Sequence, residues 1–267
     1  MPEGPECRRY AESLARRISG RKLLGIDLVS GRFTKKAPTG HPELLRELPL
    51  EVIGAGVHGK FIYWILKNEW FVYSTLGMSG AWSAEPDQYT RIKFVLSDGA
   101  VYYNDQRNFG TIKFIRGKYQ LLQKLKSLGP DMLAGDVSDE IFLERMRKKN
   151  KWPLVKALMD QAIIAGVGNY IKADSLWLAH LSPYRTIDSL SDVELSNLNR
   201  SIKQVMHESF QNGGATIKTY KQFDGTEGEY SRRFLVYNQK VDPDGNEVVR
   251  ELTEDGRTTH WVPEMQK

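Results

Sequence analysis

Apolar and polar residues alternate in short runs through the first half of the chain. Residues 23–29, 51–57, 60–66, 70–73, 92–96, 101–103 and 111–115 are rich in β-branched and aromatic side chains, which pack well on a pleated, half-buried surface. Lys67-Asn68-Glu69 and Ser97-Asp98-Gly99 punctuate these runs as turns. Repeated short strands with tight turns predict an antiparallel β-sandwich. Residues 5–18 follow another period: Cys7, Tyr10, Leu14 and Ile18 recur at helical spacing, with Arg8, Arg9, Glu12 and Arg16 between them. That spacing predicts an amphipathic helix with Cys7 on its apolar face, a core position rather than a nucleophile.

Beyond residue 121 the period becomes helical. Ser138 precedes an acidic first turn and the apolar Ile141, Phe142 and Met146. Residues 153–160 and 170–180 predict two further helices, and residues 191–212 open on a Ser191-x-x-Glu194 capping box and end at Gly213-Gly214. Residues 234–240, 248–252 and 258–262 return to a strand pattern, with turns at Asp244-Gly245 and Asp255-Gly256. The predicted class is α+β. A β-sandwich with an N-terminal helix covers residues 1–125, a linker 126–137, and a helical domain 138–215. A polar, glycine-rich loop region spans residues 216–234, and a terminal β-hairpin covers 235–267.

Composition narrows the class. The single cysteine, Cys7, excludes an internal disulfide and a cysteine-only zinc site within one chain. No stretch approaches the roughly 20 apolar residues of a membrane helix, and the first residues lack a signal-peptide core, so a soluble intracellular protein is expected. The histidines His58, His180, His207 and His260 show no metal-ligand spacing. The net charge of +5, from 38 basic and 33 acidic residues, is a weak sign of a polyanionic partner. Its distribution says more: Arg145, Arg147, Lys148, Lys149, Lys151 and Lys156 crowd one window against the single acid Glu144. This focused patch suits either phosphate contact or a solvated helix end.

The second residue carries candidate chemistry. Proline is small enough to favour removal of Met1, which would leave Pro2 with a free secondary amine. An α-amino group titrates near about 7.7–8.0, so part of it is neutral at physiological pH. A neutral amine attacks an aldehyde-like carbon to give an iminium, and the adjacent Glu3 would exchange the protons.

The opening MPEGPE resembles that of the formamidopyrimidine-DNA glycosylase/endonuclease VIII family, whose nucleophile is this proline. HGKFIYWIL, from His58, is similar to the family segment carrying an active-site lysine, here Lys60. LGMSG and NDQRNFG resemble its two DNA-probing loops, and LMDQAIIAGVGNYIKADSLW resembles its helix–two-turns–helix element. GRTTHWVPEMQK is similar to the finger of zinc-free members. The matches run in order over nearly the whole chain.

The resemblance implies a bifunctional glycosylase and abasic-site lyase of base excision repair, with catalytic Pro2, Glu3, Lys60 and Arg257. It implies DNA contacts by Asn169, Met78, Arg107, Asn108 and Phe109, with Lys151 added from the basic window. Asn169 alternatively reads as a simple helix N-cap, and Met78 and Phe109 as core residues. Members commonly carry Arg-Arg-Phe where this chain has Arg107-Asn108-Phe109. Gly225, Thr226, Gly228 and Tyr230 fall in the loop that covers an everted base in relatives. Val262 and Met265 stand where relatives place zinc-binding cysteines, and Asp244 and Glu247 occupy the other side, so neither a metal nor a cofactor is expected. Val249, Leu252, Trp261 and Val262 are then the candidates for holding the hairpin.

The expected partner is double-stranded DNA carrying oxidised bases or abasic sites. The tilt is toward formamidopyrimidines, hydantoins and oxidised pyrimidines rather than intact 8-oxoguanine, and β,δ-elimination would cut the strand. A monomer is expected, nuclear in a eukaryote and cytoplasmic or nucleoid-bound in a bacterium. A catalytically silent DNA-binding protein on the same scaffold, or an RNA-associated protein sharing the helical element, are the other readings.

Overall fold

The computed structural model describes residues 2–135, 137–217 and 220–267, so Met1 lies outside it. These residues form two compact units. The first comprises Pro2, Glu6–Ser127 and Gly213–Glu229, and the second Glu3–Pro5, Leu128–Asn212 and Tyr230–Lys267.

In the first unit, helix α1 (Gly4–Ile18) buries Cys7, Tyr10, Leu14 and Ile18, the four positions its period selects. Strand β1 (Lys22–Leu28) and the short helices α2 (Arg32–Lys35) and α3 (His41–Leu45) follow. The strands β2 (Leu50–His58), β3 (Phe61–Leu66), β4 (Trp70–Thr75), β5 (Gly80–Ser83), β6 (Thr90–Leu96), β7 (Gly99–Asp105) and β8 (Thr111–Arg116) precede α4 (Lys118–Lys126). The strand order is β5-β7-β6-β1-β2-β3-β4-β8, with antiparallel neighbours. β1 and β2 share only the pairs Lys22↔Glu51 and Leu23↔Leu50, so the ladder divides there into two four-stranded layers. Their inner faces meet in an aromatic core: Trp64 of β3 lies 5.1 Å from Trp82 of β5 and 4.9 Å from Phe94 of β6. Tyr103 of β7 closes on Trp82 at 5.3 Å, within the range where tilted ring pairs attract. β5 escapes the sequence pattern because Gly-Ala-Trp-Ser holds one large side chain and is short.

The second unit contains α5 (Asp139–Arg147), α6 (Leu154–Met159), α7 (Asn169–Leu178) and α8 (Asp192–Gln211), then a two-stranded sheet of β9 (Val249–Leu252) and β10 (Thr258–Trp261). Ser138 caps α5 through Ile141 N at 3.2 Å, and Ser191 and Glu194 form the capping box of α8. Residues 234–240, expected as a strand, are not one. The backbone N–H groups of Leu235, Val236 and Tyr237 are instead taken by the buried carboxylate of Asp174 on α7, which leaves them no ladder to join. No helix among the described residues is long and apolar enough to cross a membrane.

Phe94 is fully buried between the layers. Phe94→Ala is expected to cost about 3–5 kcal/mol of stability in urea unfolding, with the midpoint lowered and the slope unchanged.

Candidate active site

The site in the second unit is built on the N-terminus of α7. Residues 160–168 form a compact turn braced by Gln161, whose amide accepts from Gly166 N at 3.0 Å and donates to Val167 O at 3.0 Å. Gly4 N donates to Gly166 O at 2.9 Å, which lays the start of the chain along this turn. The cap position of α7 is Gly168, which has no side chain to offer, and Asn169 is the first helical residue rather than the N-cap. The helix end is satisfied from elsewhere: Glu3, 2% exposed, accepts from Tyr170 N at 3.1 Å and Ile171 N at 3.4 Å. A helix N-terminus favours a carboxylate through its aligned dipoles and unpaired N–H groups. The fit is close, since a Cβ on Gly168 would stand 2.2 Å from the Glu3 carboxyl carbon. The buried Pro2 is covalently joined to this anchored residue.

Two bonds tie α7 to the turn between β9 and β10. The Asn169 amide donates to Thr258 O at 2.9 Å, and its buried Oδ1 has no protein partner. Lys172, fully buried, pairs with the Asp255 carboxylate at 2.5 Å. Arg257 follows this turn, half-buried, with its N–H on Asp255 Oδ1 at 3.3 Å. Packing completes the hairpin through Val262, one of the expected residues, and through others that were not expected. Val262 joins Ala173, Val236 and Val248 in a small apolar core, with Trp177, Tyr237 and Met265 against it. Leu252 is 74% exposed and takes no part. Asp242 accepts from Trp177 Nε1 at 3.1 Å and from Asn246 N at 2.8 Å. Among the described residues, no group of three or more His, Cys, Asp or Glu side chains is disposed to hold a metal.

In the first unit, Lys60 stands in the turn between β2 and β3, and its carbonyl accepts from the Cys7 thiol of α1 at 3.8 Å. Met78 and Phe109 are 39% and 55% exposed, not core, and the Arg107 guanidinium lies 4.8 Å over the Phe109 ring. Asn108 takes φ +57° at the tip of this loop, a left-handed conformation asparagine tolerates. Asp105 joins the two loops: it accepts from Ser79 Oγ at 2.6 Å and Gly110 N at 2.8 Å, while Ser79 Oγ accepts from Arg107 N at 2.9 Å.

The glycine-rich loop docks on α1. Glu6 accepts from Ala215 N at 2.8 Å, Arg9 donates to the Gln222 side chain at 3.0 Å, and Tyr10 donates to Lys221 O. Gly225 and Thr226 are exposed at its tip, whereas Gly228 is buried and donates to Thr216 Oγ1 at 2.8 Å. Tyr230, in the second unit, is buried against Tyr170 and Phe234 instead of projecting from the loop.

The basic window is partly consumed internally. Arg147 donates to Ile187 O and Leu190 O and pairs with Asp192. Lys149 and Lys156 lie over the Trp152 ring at 4.6 and 4.5 Å. Lys151 is 92% exposed with Asp188 at 3.5 Å. Sequence reading passed over Gln161, Lys172, Asp174 and Asp105. Lys172 and Asp174, ionisable residues among apolar ones, carry a signal that could have found them, whereas Asp105 lies in the polar run 104–108.

Burial is the largest effect on three ionisable groups of the second unit, Lys172, Asp174 and His260. It holds Lys172 below the usual lysine range, partly offset by Asp255 and Glu3. It pushes Asp174 up to about 6 against three backbone donors. It also pushes His260 down to about 4, helped by Arg250 and Lys172. The two last groups titrate in one window with opposite signs. A folded carboxyl with a raised pKa binds its proton more tightly than the unfolded chain, so the Asp174 contribution falls as pH rises from about 4 to about 6. A depressed histidine does the reverse, and the His260 contribution rises between about 4 and 6.5. The stability gap between wild type and Asp174→Asn is therefore expected to narrow with rising pH, and that for His260→Phe to widen, in urea titrations at stepped pH.

Profiles of three formamidopyrimidine-DNA glycosylase domains match the chain in order: the N-terminal domain over residues 1–112, the H2TH domain over 128–221 and the C-terminal domain over 222–267. The formamidopyrimidine-DNA glycosylase of Thermus thermophilus is 31% identical over 276 residues, covering 100% of this chain and 98% of that protein. The crystal structure of the MutM (Fpg) protein from Thermus thermophilus superposes with a TM-score of 0.87 at 30% identity, covering 99% of this chain and 98% of the other. A Lactococcus lactis Fpg in complex with abasic-site DNA superposes at 0.88 with 27% identity, covering 99% of each. With the seat of Glu3, the ordered loops and the hairpin all in that framework, the chain belongs to the formamidopyrimidine-DNA glycosylase family, whose members have N-glycosylase and abasic-site lyase activity.

Proposed function

We propose that this DNA glycosylase of base excision repair removes oxidised bases through an N-terminal Schiff base and then cuts the strand by β,δ-elimination. The observation that carries this is the Glu3 carboxylate held on the α7 N-terminus beside Pro2. An amine nucleophile with a fixed proton-transfer group next to it is the arrangement covalent glycosyl chemistry requires. Once Met1 is removed, the Pro2 nitrogen lone pair forms a bond to C1′ of the everted nucleotide. The N-glycosidic electron pair leaves with the damaged base, which takes up the proton released from the Pro2 nitrogen. Proton transfer from Glu3 to the ring oxygen opens the sugar and yields the iminium. Loss of a C2′ proton expels the 3′ phosphate, and a second elimination expels the 5′ phosphate, leaving a one-nucleotide gap.

The other residues serve presentation of the lesion. Flipping a nucleotide costs a few kcal/mol. The exposed Met78 and Phe109 suit the space left in the stack, and Arg107 comes ordered over the Phe109 ring. Asn169 and Arg257 would hold phosphates, with Lys60 at the sugar or its phosphate and Lys151 on the flanking backbone. The exposed tip at Gly225 and Thr226 would meet the everted base. The substrates proposed are formamidopyrimidines, hydantoins and oxidised pyrimidines in duplex DNA. Related Lactococcus lactis proteins are seen with Fapy-dG-containing DNA and with an oxidised pyrimidine. A monomer acting alone is proposed.

Borohydride reduction during incubation with a duplex carrying one abasic site is expected to give a covalent complex. Pro2→Gly, which still offers an amine, should trap partially, and a form retaining Met1 should not trap. No band from processed wild type despite tight binding would leave a silent DNA-binding protein. Gly168→Ala tests the proton-transfer group without removing it: the added methyl displaces the Glu3 carboxylate. Single-turnover base release should fall about a hundredfold with the circular dichroism spectrum kept. An unchanged rate would remove Glu3 from the mechanism.

A further inference from the structure

Lysine is almost never fully buried unless paired, and Lys172 is fully buried on the middle of α7. Its partner Asp255 has a side chain only 2% exposed, at the hairpin tip. The two oxygens of Asp255 divide their work. Oδ2 takes the Lys172 ammonium, while Oδ1 accepts from Thr253 Oγ1 at 2.6 Å and Arg257 N at 3.3 Å. Thr253 completes the ring, with its N–H donating to Arg257 O at 3.0 Å. The backbone on both sides of the Arg257 side chain is thereby held by the group Lys172 anchors.

A second tether runs parallel to the first. Asn169 lies three residues before Lys172 on α7, one helical turn away, and binds the carbonyl of Thr258, three residues after Asp255. Arg257 sits between the two tied positions. An Asp-Gly turn needs no buried cation to form, because Gly256 supplies the left-handed φ of +71°. Desolvating an ion pair is expensive, and a neutral pair of similar volume often serves stability as well. What the pair adds is register: it fixes which residue of the hairpin tip faces which turn of α7.

We propose that Lys172 is a positioning residue for Arg257, its ion pair with Asp255 acting with the Asn169–Thr258 bond as a two-point clip that presents the guanidinium to a DNA phosphate with its backbone already ordered. The clip lowers the ordering cost that a free hairpin tip would carry on binding. The inference rests on the reading of Arg257 as a phosphate contact.

The test is binding of the full chain to a duplex with one tetrahydrofuran abasic analogue over a series of KCl concentrations, for wild type, Lys172→Met, Arg257→Ala and the double variant. Each lost phosphate contact lowers the slope of log affinity against log salt by about one. Arg257→Ala and Lys172→Met are each expected to lower that slope by about one and to weaken binding on the order of tenfold, and the double variant should bind as Arg257→Ala does. A Lys172→Met protein that keeps the wild-type slope and adds independently to Arg257→Ala would overturn the positioning role. A wild-type slope for Arg257→Ala itself would instead overturn the phosphate reading, and the clip with it. If Lys172→Met does not fold by circular dichroism, Lys172→Met with Asp255→Asn removes both charges and carries the same expectations.

Discussion

The start of α7 lacks a cap of its own, and the site depends on how that end is satisfied. Gly168 offers no side chain, and the first N–H groups of the helix would be left unpaired in a buried setting without the carboxylate of Glu3. Unmet donors there would cost about 1–3 kcal/mol each. Under the proposed mechanism one residue would answer two needs: the helix requires an acceptor, and an N-terminal amine nucleophile would require a proton-transfer group beside it. The turn ahead of the helix conforms to this bond, with Gln161 bracing it and Gly166 receiving the Gly4 N–H. A residue with a Cβ at position 168 would force the two needs apart.

Much of this was legible in the chain because period and punctuation act locally. The period of α1 named four of its buried positions, and the Ser191-x-x-Glu194 pattern named the start of α8. The alternating runs gave the strands of the sandwich except for β5, which is four residues long. Two failures share a cause: long-range hydrogen bonding overrode local pattern. The stretch 234–240 looks like a strand because strand propensity records side chains, whereas the backbone there answers to Asp174, about sixty residues earlier. Asn169 looks like an N-cap, but the cap function went to a residue at the far end of the sequence. Leu252 reads as hairpin core, yet two-stranded ribbons have one outer face and it lies there. Tyr230 reads as loop, although its ring is enclosed by aromatic neighbours.

The hairpin of the second unit combines two kinds of support. The apolar contacts of Val236, Val248 and Val262 give cohesion without direction. The directed contacts are carried by buried acids: Asp174 fixes three backbone amides, Asp242 fixes the turn at residues 244–246, and Asp255 fixes the tip. Each of these carboxylates has several donors, the condition under which a buried charge is tolerated. A four-residue strand pair alone is marginal in water. Here its registry is imposed by α7 rather than by the length of its own ladder.

The anchoring of Gly4 and of Gln266 and Lys267 bears on where a label can be attached. Gly4 is stitched to Gly166, and at the other extreme Gln266 is buried, with its amide between Val262 N and Leu181 O, while Lys267 exchanges backbone bonds with His180 and Ser182. An affinity tag joined close to either place would pull on a packed strand of chain rather than on a loose tail. The exposed turn at Asp244-Gly245, where a Cβ at Gly245 meets nothing within 4 Å, is the roomier point for an inserted label or surface linkage. Immobilised there, the molecule would keep the seats of Gly4 and Gln266 undisturbed.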